Sequence, residues 1–255
     1  LRFKARTFLH VQENWTRGFR FFLSLFAWKI GDLVVISNAV SNTLPRKIRK
    51  KSTIVANAVK DSCRTAPAGW KSAGGASKLF LFASRWTAVK GIGTLILAWG
   101  EIESRNSKLI IAGGPSNFGG NISVHEEVKR LDFSNSVQIV GEVLDLSRLI
   151  DKVDFVIIPS SWNEPFGIIA IEAMCRSTPV IASCGGGLGE IIDNGIDGFL
   201  FSNNNIVELT NLIDKASALD ESYLQEMRKA ARAKYEKHYS IDIFEKKICS
   251  LFDGF

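Results

Sequence analysis

Residues Asp154–Met174 read DFVIIPSSWNEPFGIIAIEAM, and the division of that stretch into elements decides the fold. Phe155–Ile158 is an unbroken apolar run, the pattern of a parallel strand buried on both faces, although a short run of this kind also fits a buried helix segment. Pro159, Ser160 and Ser161 end the run, and Pro165 suits the first position of a helix. From Phe166 the spacing of Ile168, Ile171 and Cys175 is helical. The first free amides of that helix are then those of Phe166, Gly167 and Ile168, and such an end holds partial positive charge that binds phosphate. Gly167 lets a ligand approach the backbone. Glu164 and Glu172 frame the helix start. An ionised carboxylate only accepts hydrogen bonds, so acids beside an anion site call for a ligand that also carries hydroxyls. A diphosphate flanked by two sugars satisfies both: the amides take the phosphates and each glutamate takes a diol. Isolated glutamates are usually solvated; the adjoining strand, turn and glycine favour a site.

Working outward, strand-like runs lie at Thr7–Val11, Asp32–Ser37, Leu79–Ala83, Leu109–Ala112, Val137–Val140 and Pro179–Ser183. Helical patterns begin near Asn38 and cover Ile92–Ile102, Leu144–Ile150, Ile206–Leu219, Ser222–Lys237 and Ile241–Phe252. His125 falls on a surface helix, Arg46–Lys51 reads as a solvated link between domains, and 62–77 reads as loop. Strands alternating with helices predict an α/β fold, a doubly wound parallel sheet with helices on both faces. In such sheets ligands sit at the C-terminal ends of the strands. Arg85 and Lys90 follow one such strand; two cations there are more often solvated surface, but in register with the helix start Arg85 offers a planar fork for phosphate oxygens and Lys90 a mobile point charge.

With 255 residues and 46% hydrophobic content, the chain can bury one large or two small cores. No apolar run is long enough to span a bilayer, and no signal peptide with a cleavage site is visible. Cys63, Cys175, Cys184 and Cys249 lack pairing or metal spacing, which fits a reducing, cytoplasmic setting. The net charge of +6 is uneven: residues 1–51 carry +9 and the remainder −3. That asymmetry points to an anionic partner for the N-terminal part; no motif supports nucleic acid. Trp15–Ile30, WTRGFRFFLSLFAWKI, admits two readings. It suits a membrane-surface contact over residues 15–31, at the inner face, or a helix packed in a domain with its basic stems reaching water.

Glu164-Pro165-Phe166-Gly167-Ile168 through Glu172-Ala173-Met174 resembles the E-x7-E motif of the retaining glycosyltransferases of family 4, which have the two-domain GT-B fold. Other stretches extend the likeness over nearly all of the chain. Thr53–Val59 is similar to the "IPNGVD" segment that opens the donor domain, with Ala58 in place of Gly and Lys60 in place of Asp. Ser84-Arg85 through Lys90-Gly91 is similar to "GRLxxxKG", with Ser84 replacing Gly. Gly113-Gly114-Pro115 resembles "GxGP", and Tyr239-Ser240-Ile241 resembles "YSW". Gly185-Gly186-Gly187 and Glu190 fall in a loop the family places beside the donor cleft, and Ser177 stands where Gly is usual.

The resemblance implies a Rossmann-like half of a GT-B glycosyltransferase with an incomplete N-terminal α/β portion. Residues 1–51 would be the end of an acceptor-side domain, 52–238 the donor-binding domain and 239–255 a helix crossing back. Strands that open the family's acceptor domain have no counterpart here, so the chain is expected to be a fragment or a shortened member. In the implied roles, Glu172 binds ribose, and Glu164 with the amides of Phe166, Gly167 and Ile168 binds the donor sugar and distal phosphate. Arg85 and Lys90 neutralise the departing diphosphate, beside the Ser84 amide; Gly141, Glu142 and Val143 hold the base. His10 is the candidate for the family's catalytic histidine, or else matches a later strand's histidine. No metal or other cofactor is implied. The implied activity is sugar transfer from a nucleotide-diphosphate sugar to a glycan or lipid-linked acceptor, in bacterial surface polysaccharide or lipopolysaccharide synthesis. Two alternatives stand beside it: a non-catalytic or truncated nucleotide-sugar-binding module, and a nucleotide-sugar 2-epimerase on the same architecture. The E-x7-E and R-x4-K spacings disfavour the epimerase.

Overall fold

The apolar run at the centre of the chain is a strand with all four side chains buried (β7, Phe155–Ile158). In the computed structural model, which describes residues 8–14, 32–61, 77–104, 106–116, 122–132 and 135–251, it lies inside a six-stranded parallel sheet. The other strands are β4 (Leu79–Ala83), β5 (Lys108–Ala112), β6 (Val137–Gly141), β8 (Val180–Ser183) and β9 (Gly198–Phe201), in spatial order β6-β5-β4-β7-β8-β9. Strand order reverses between β4 and β7, so the two chains diverge there and leave a crevice beyond their C-terminal ends.

The two-residue period of the strands splits their apolar side chains between two cores. Phe80, Phe82, Phe155 and Ile157 face one, where helices α3 (Ile92–Glu101) and α8 (Ile206–Ser217) contribute Trp99 and Leu209. Phe80 stacks on Phe155 at 5.8 Å and meets the edge of Trp99 at 5.7 Å. Leu81, Val156 and Ile158 face the other core, shared with α6 (Ile168–Cys175) and α7 (Leu188–Ile191). Helix α9 (Glu221–His238) is clamped to the sheet by the buried Arg228, whose guanidinium pairs with Asp154 at 2.6 Å while Asp154 accepts the Leu79 amide. Shorter helices α4 (Val124–Arg130) and α5 (Ser147–Ile150) complete the crossovers, and α10 (Ile241–Ser250) ends the described chain.

A second parallel sheet, β1 (Phe8–Val11), β2 (Asp32–Val35) and β3 (Ser52–Ile54), carries α1 (Asn38–Thr43) and α2 (Arg46–Arg49). Two expectations change here. Arg46–Lys51 is not a solvated link: Pro45 precedes a helical turn that buries Ile48 completely beside Val35, Val40 and Leu44. Ser52–Ile54, expected to open the donor domain, pairs with β2 and is an edge of the small sheet. The aromatic, basic stretch 15–31 and most of 62–77 lie outside the described residues. No described helix is long and apolar enough to cross a membrane.

The small sheet is stitched to the crevice. Ser37 donates to the Pro165 carbonyl at 2.6 Å, and the Asn14 amide donates to Asn163 O at 2.7 Å. Glu190 accepts the Asn38 and Ala39 amides at 2.9 and 2.6 Å, supplying the negative charge that α1 lacks in its own first turn. Tyr235 donates to the Val59 carbonyl, and Val59 bridges Ser240 at the foot of α10.

Ser177, in the turn after α6, has φ +57°. A side chain is disfavoured in that left-handed region, which accounts for the glycine usual at this place. Ser177→Gly is expected to raise the unfolding free energy by about 1 kcal/mol, read as a higher urea midpoint at unchanged slope.

Candidate active site

Three loop ends and one helix tip enclose a cavity of about 330 Å³ outside β4 and β7. Ala83 comes from the end of β4 and Ser84 and Lys90 from the loop after it; Pro159, Ser160 and Glu164 from the loop after β7; Phe166, Gly167, Ile168 and Ile169 from the start of α6. Gln12 and Glu13, just beyond β1, and Asn57, beyond β3, close it from the small-sheet side.

The two loops of the crevice are locked together before any side chain is considered. Ser161 donates its amide to Val89 O at 3.0 Å and its hydroxyl to Ala88 O at 2.9 Å. Gly91 (φ +72°) follows, and a Cβ there would stand 1.7 Å from the Pro159 carbonyl oxygen, so a glycine is needed for the loops to meet. This contact delivers Lys90 onto Glu164. The ammonium lies 2.6 Å from Glu164 Oε1, and the Ser160 hydroxyl donates to the same oxygen at 2.7 Å. Glu164 is only 7% exposed, and its backbone is fixed as well: it bridges Gly186, and its carbonyl accepts the Gly187 amide. The glycine triplet is thus a structural seat for Glu164.

Helix α6 starts two residues later than its sequence suggests. Gly167 is the N-cap at φ +112°, and a Cβ there would come 2.5 Å from Leu188 Cδ2, so the position calls for glycine. Pro165 lies before the helix, engaged by Ser37, and the amides at the tip are those of Ile168 and Ile169 rather than Phe166. Ile168 is half exposed instead of buried, while Ile171 and Cys175 face the core.

Glu172 lies one turn from the C-terminal end of α6 and faces a second cavity of about 450 Å³, lined also by Val59, Lys60, Leu144 and Leu146. The two glutamates therefore address two chambers at opposite ends of one short helix. No described residue partners the Glu172 carboxyl, and burial pushes it above the usual carboxylate range. Arg85 is exposed, outside the first cavity's wall, and without an ion-pair partner among the described residues. Gly141 ends β6 with φ +70°, Glu142 packs beside Gly114, and Val143 and Leu144 are exposed; α5 starts only at Ser147, not Leu144. His10 sits within β1, exposed, 3.4 Å from Gln12 Nε2, and partial burial lowers its pKa. His10 does not line the cavity, whereas its neighbours Gln12 and Glu13 do. Sequence reasoning missed Ser160, Gln12 and Glu13. The signal available was position, since each lies within two residues of a strand's C-terminal end.

A switch-point crevice closed by a helix tip, on strand order β6-β5-β4-β7-β8-β9, defines a Rossmann-like, doubly wound ligand-binding domain. The family described as "Glycosyl transferases group 1" matches residues 71–234, and the chain belongs to it. An uncharacterized glycosyltransferase of Methanocaldococcus jannaschii is 33% identical over 182 residues, covering 69% of this chain and 44% of its own length. A second from the same organism is 25% identical over 224 residues, covering 83% of this chain and 58% of its own. The chain thus spans about half the length of these curated relatives. Among solved structures, Anabaena Alr3699/HepE in complex with UDP and glucose superposes with a TM-score of 0.81 at 20% identity, over 97% of this chain and 71% of that one. Sucrose-phosphate synthase from Thermosynechococcus elongatus gives 0.83 at 20% identity, over 99% and 68%.

The raised pKa of Glu172 has a stability consequence. Below the ordinary value of 4.5 the group is neutral in both folded and unfolded chains. As pH rises through 4.5 and then through the higher folded value, the folded state must hold a poorly solvated charge and loses stability. Glu172→Gln is therefore expected to melt higher than the parent at pH 7, with the difference closing as the pH is lowered past the carboxylate range. Thermal melts across that range check the sign.

Proposed function

We propose that this chain is the donor-binding part of a retaining glycosyltransferase that takes a nucleotide-diphosphate sugar. The observation that carries the reading is the convergence of the α6 tip, Lys90 and the buried Glu164 on one cavity. In this reading the diphosphate lies against the Ile168 and Ile169 amides, with Lys90 and Arg85 supplying positive charge. Glu164 receives hydroxyls of the donor sugar. Glu172, in its separate chamber, receives the ribose diol, and the backbone of Gly141–Val143 borders the base. The spacing of the two chambers along α6 suits an elongated ligand with sugars on both sides of a diphosphate.

Bond breaking leaves charge on the diphosphate. Lys90 and the helix tip face that charge and, with Arg85 turned in from solvent, stabilise it electrostatically, so the reading assigns no metal. Retention of configuration is proposed on the E-x7-E likeness. The donor assignment is supported by the UDP bound to the Anabaena structure of like fold. A glycan or lipid-linked acceptor, reached at the membrane's inner face in surface polysaccharide synthesis, is proposed on the charge of residues 1–51.

A thermal-shift panel of UDP-, GDP- and ADP-sugars tests the donor reading. The fitting nucleotide, at a hundredfold excess over its Kd, is expected to add about 2.7 kcal/mol of stability; no shift with any of the three classes would sink the reading. Assaying the same samples for donor hydrolysis separates turnover from binding alone. Arg85→Ala is expected to weaken the nucleotide diphosphate about tenfold, and an unchanged affinity in calorimetric titration removes Arg85 from the site.

A further inference from the structure

Two groups hold Glu164, and they differ in whether they can leave. Lys90 reaches it from the loop after β4 on a flexible four-carbon stem, with 20% of its side chain exposed; it also lies 5.8 Å over the Trp162 ring, a second resting place for the ammonium. Ser160 belongs to the same loop as Glu164, is 1% exposed, and has a single rotatable bond on which to swing its hydroxyl. Both donate to Oε1. Among the described residues nothing donates to Oε2.

We propose that Ser160 is a positioning residue that holds Glu164 aimed at the donor sugar once the diphosphate draws Lys90 away. The inference rests on the donor reading above. Lys90 is the cation facing the cavity, so an arriving diphosphate competes with Glu164 for it. A buried carboxylate that loses its only donors is left with an unmet desolvation cost. The Ser160 hydroxyl has one proton, already committed to Oε1, so it stays with Glu164 through the exchange and donates nothing to the ligand. With Oε1 tied to its own loop, Oε2 is the oxygen left for sugar hydroxyls. The two partners therefore divide the work: Lys90 serves diphosphate affinity, and Ser160 serves discrimination between the nucleotide and the same nucleotide carrying a sugar.

The test is the ratio of affinities, by calorimetry, for UDP-glucose against UDP, with GDP-mannose against GDP and ADP-glucose against ADP run alongside. Ser160→Ala is expected to lower the ratio of the binding pair about tenfold. In a Glu164→Ala background, which removes the acceptor of the Ser160 hydroxyl, the same change is expected to add no further loss, because Ser160 acts through that carboxylate. Ser160→Cys keeps the volume with a weaker donor and must move the ratio in the same direction, which covers the case of an unstable alanine variant. A ratio unmoved in both variants, or an equal loss in the Glu164→Ala background, overturns the assignment while leaving the donor reading intact. A parent chain that binds none of the six compounds overturns both.

Discussion

A buried carboxylate with its cation drawn from another loop is the interaction on which the rest of the site depends. Glu164 sits where an unpaired charge would be costly, and Lys90 reaches it only because the loops after β4 and β7 touch backbone to backbone. That approach depends in turn on Gly91 against Pro159 and on the parallel pairing of β4 with β7. Charge pairing, loop contact and sheet order are thus one linked constraint. Breaking a buried pair by removing one partner costs more than the pair itself contributes, since the remaining charge stays desolvated.

The same logic governs how the small sheet is carried. Its apolar residues Val11, Leu33 and Val35 share one core with α6 and α7, so burial supplies adhesion without direction. Direction comes from directed polar contacts: Ser37 on Pro165, Asn14 on Asn163, and Glu190 on the first amides of α1. All three land within or beside the loops that seat Glu164. Gln12, Glu13 and Asn57 consequently line the same cavity as the helix tip, placing residues that follow the small sheet's strands beside Glu164 and Lys90.

Much of this was legible one-dimensionally. Phe155–Ile158 read as a buried strand because parallel strands covered on both faces need no alternation, and the helices after Asn205 were marked by periodicity. Glu164 and Glu172 were picked out by residue type and spacing and Lys90 by its likeness to the "GRLxxxKG" segment, and the cavity does unite Glu164 with Lys90. Other details were hidden. Ile48 inside Arg46–Lys51 is one apolar residue among five cations, and nothing local announces that it fills a core. Pro165 looked like a helix start, since proline is favoured there, yet Gly167 takes a left-handed φ of +112° and α6 begins only at Ile168.

The amino-acid order alone marked most strands and helices of the large sheet and the side chains that are candidates for a site, because periodicity and residue type are local properties. Only the tertiary structure decided which of those groups meet. It placed Lys90 and Ser160 on one oxygen of Glu164, sent Glu172 to a separate chamber, and left Arg85 in solvent. The physical reason is that ion pairing and desolvation act over a few ångströms between residues more than seventy positions apart.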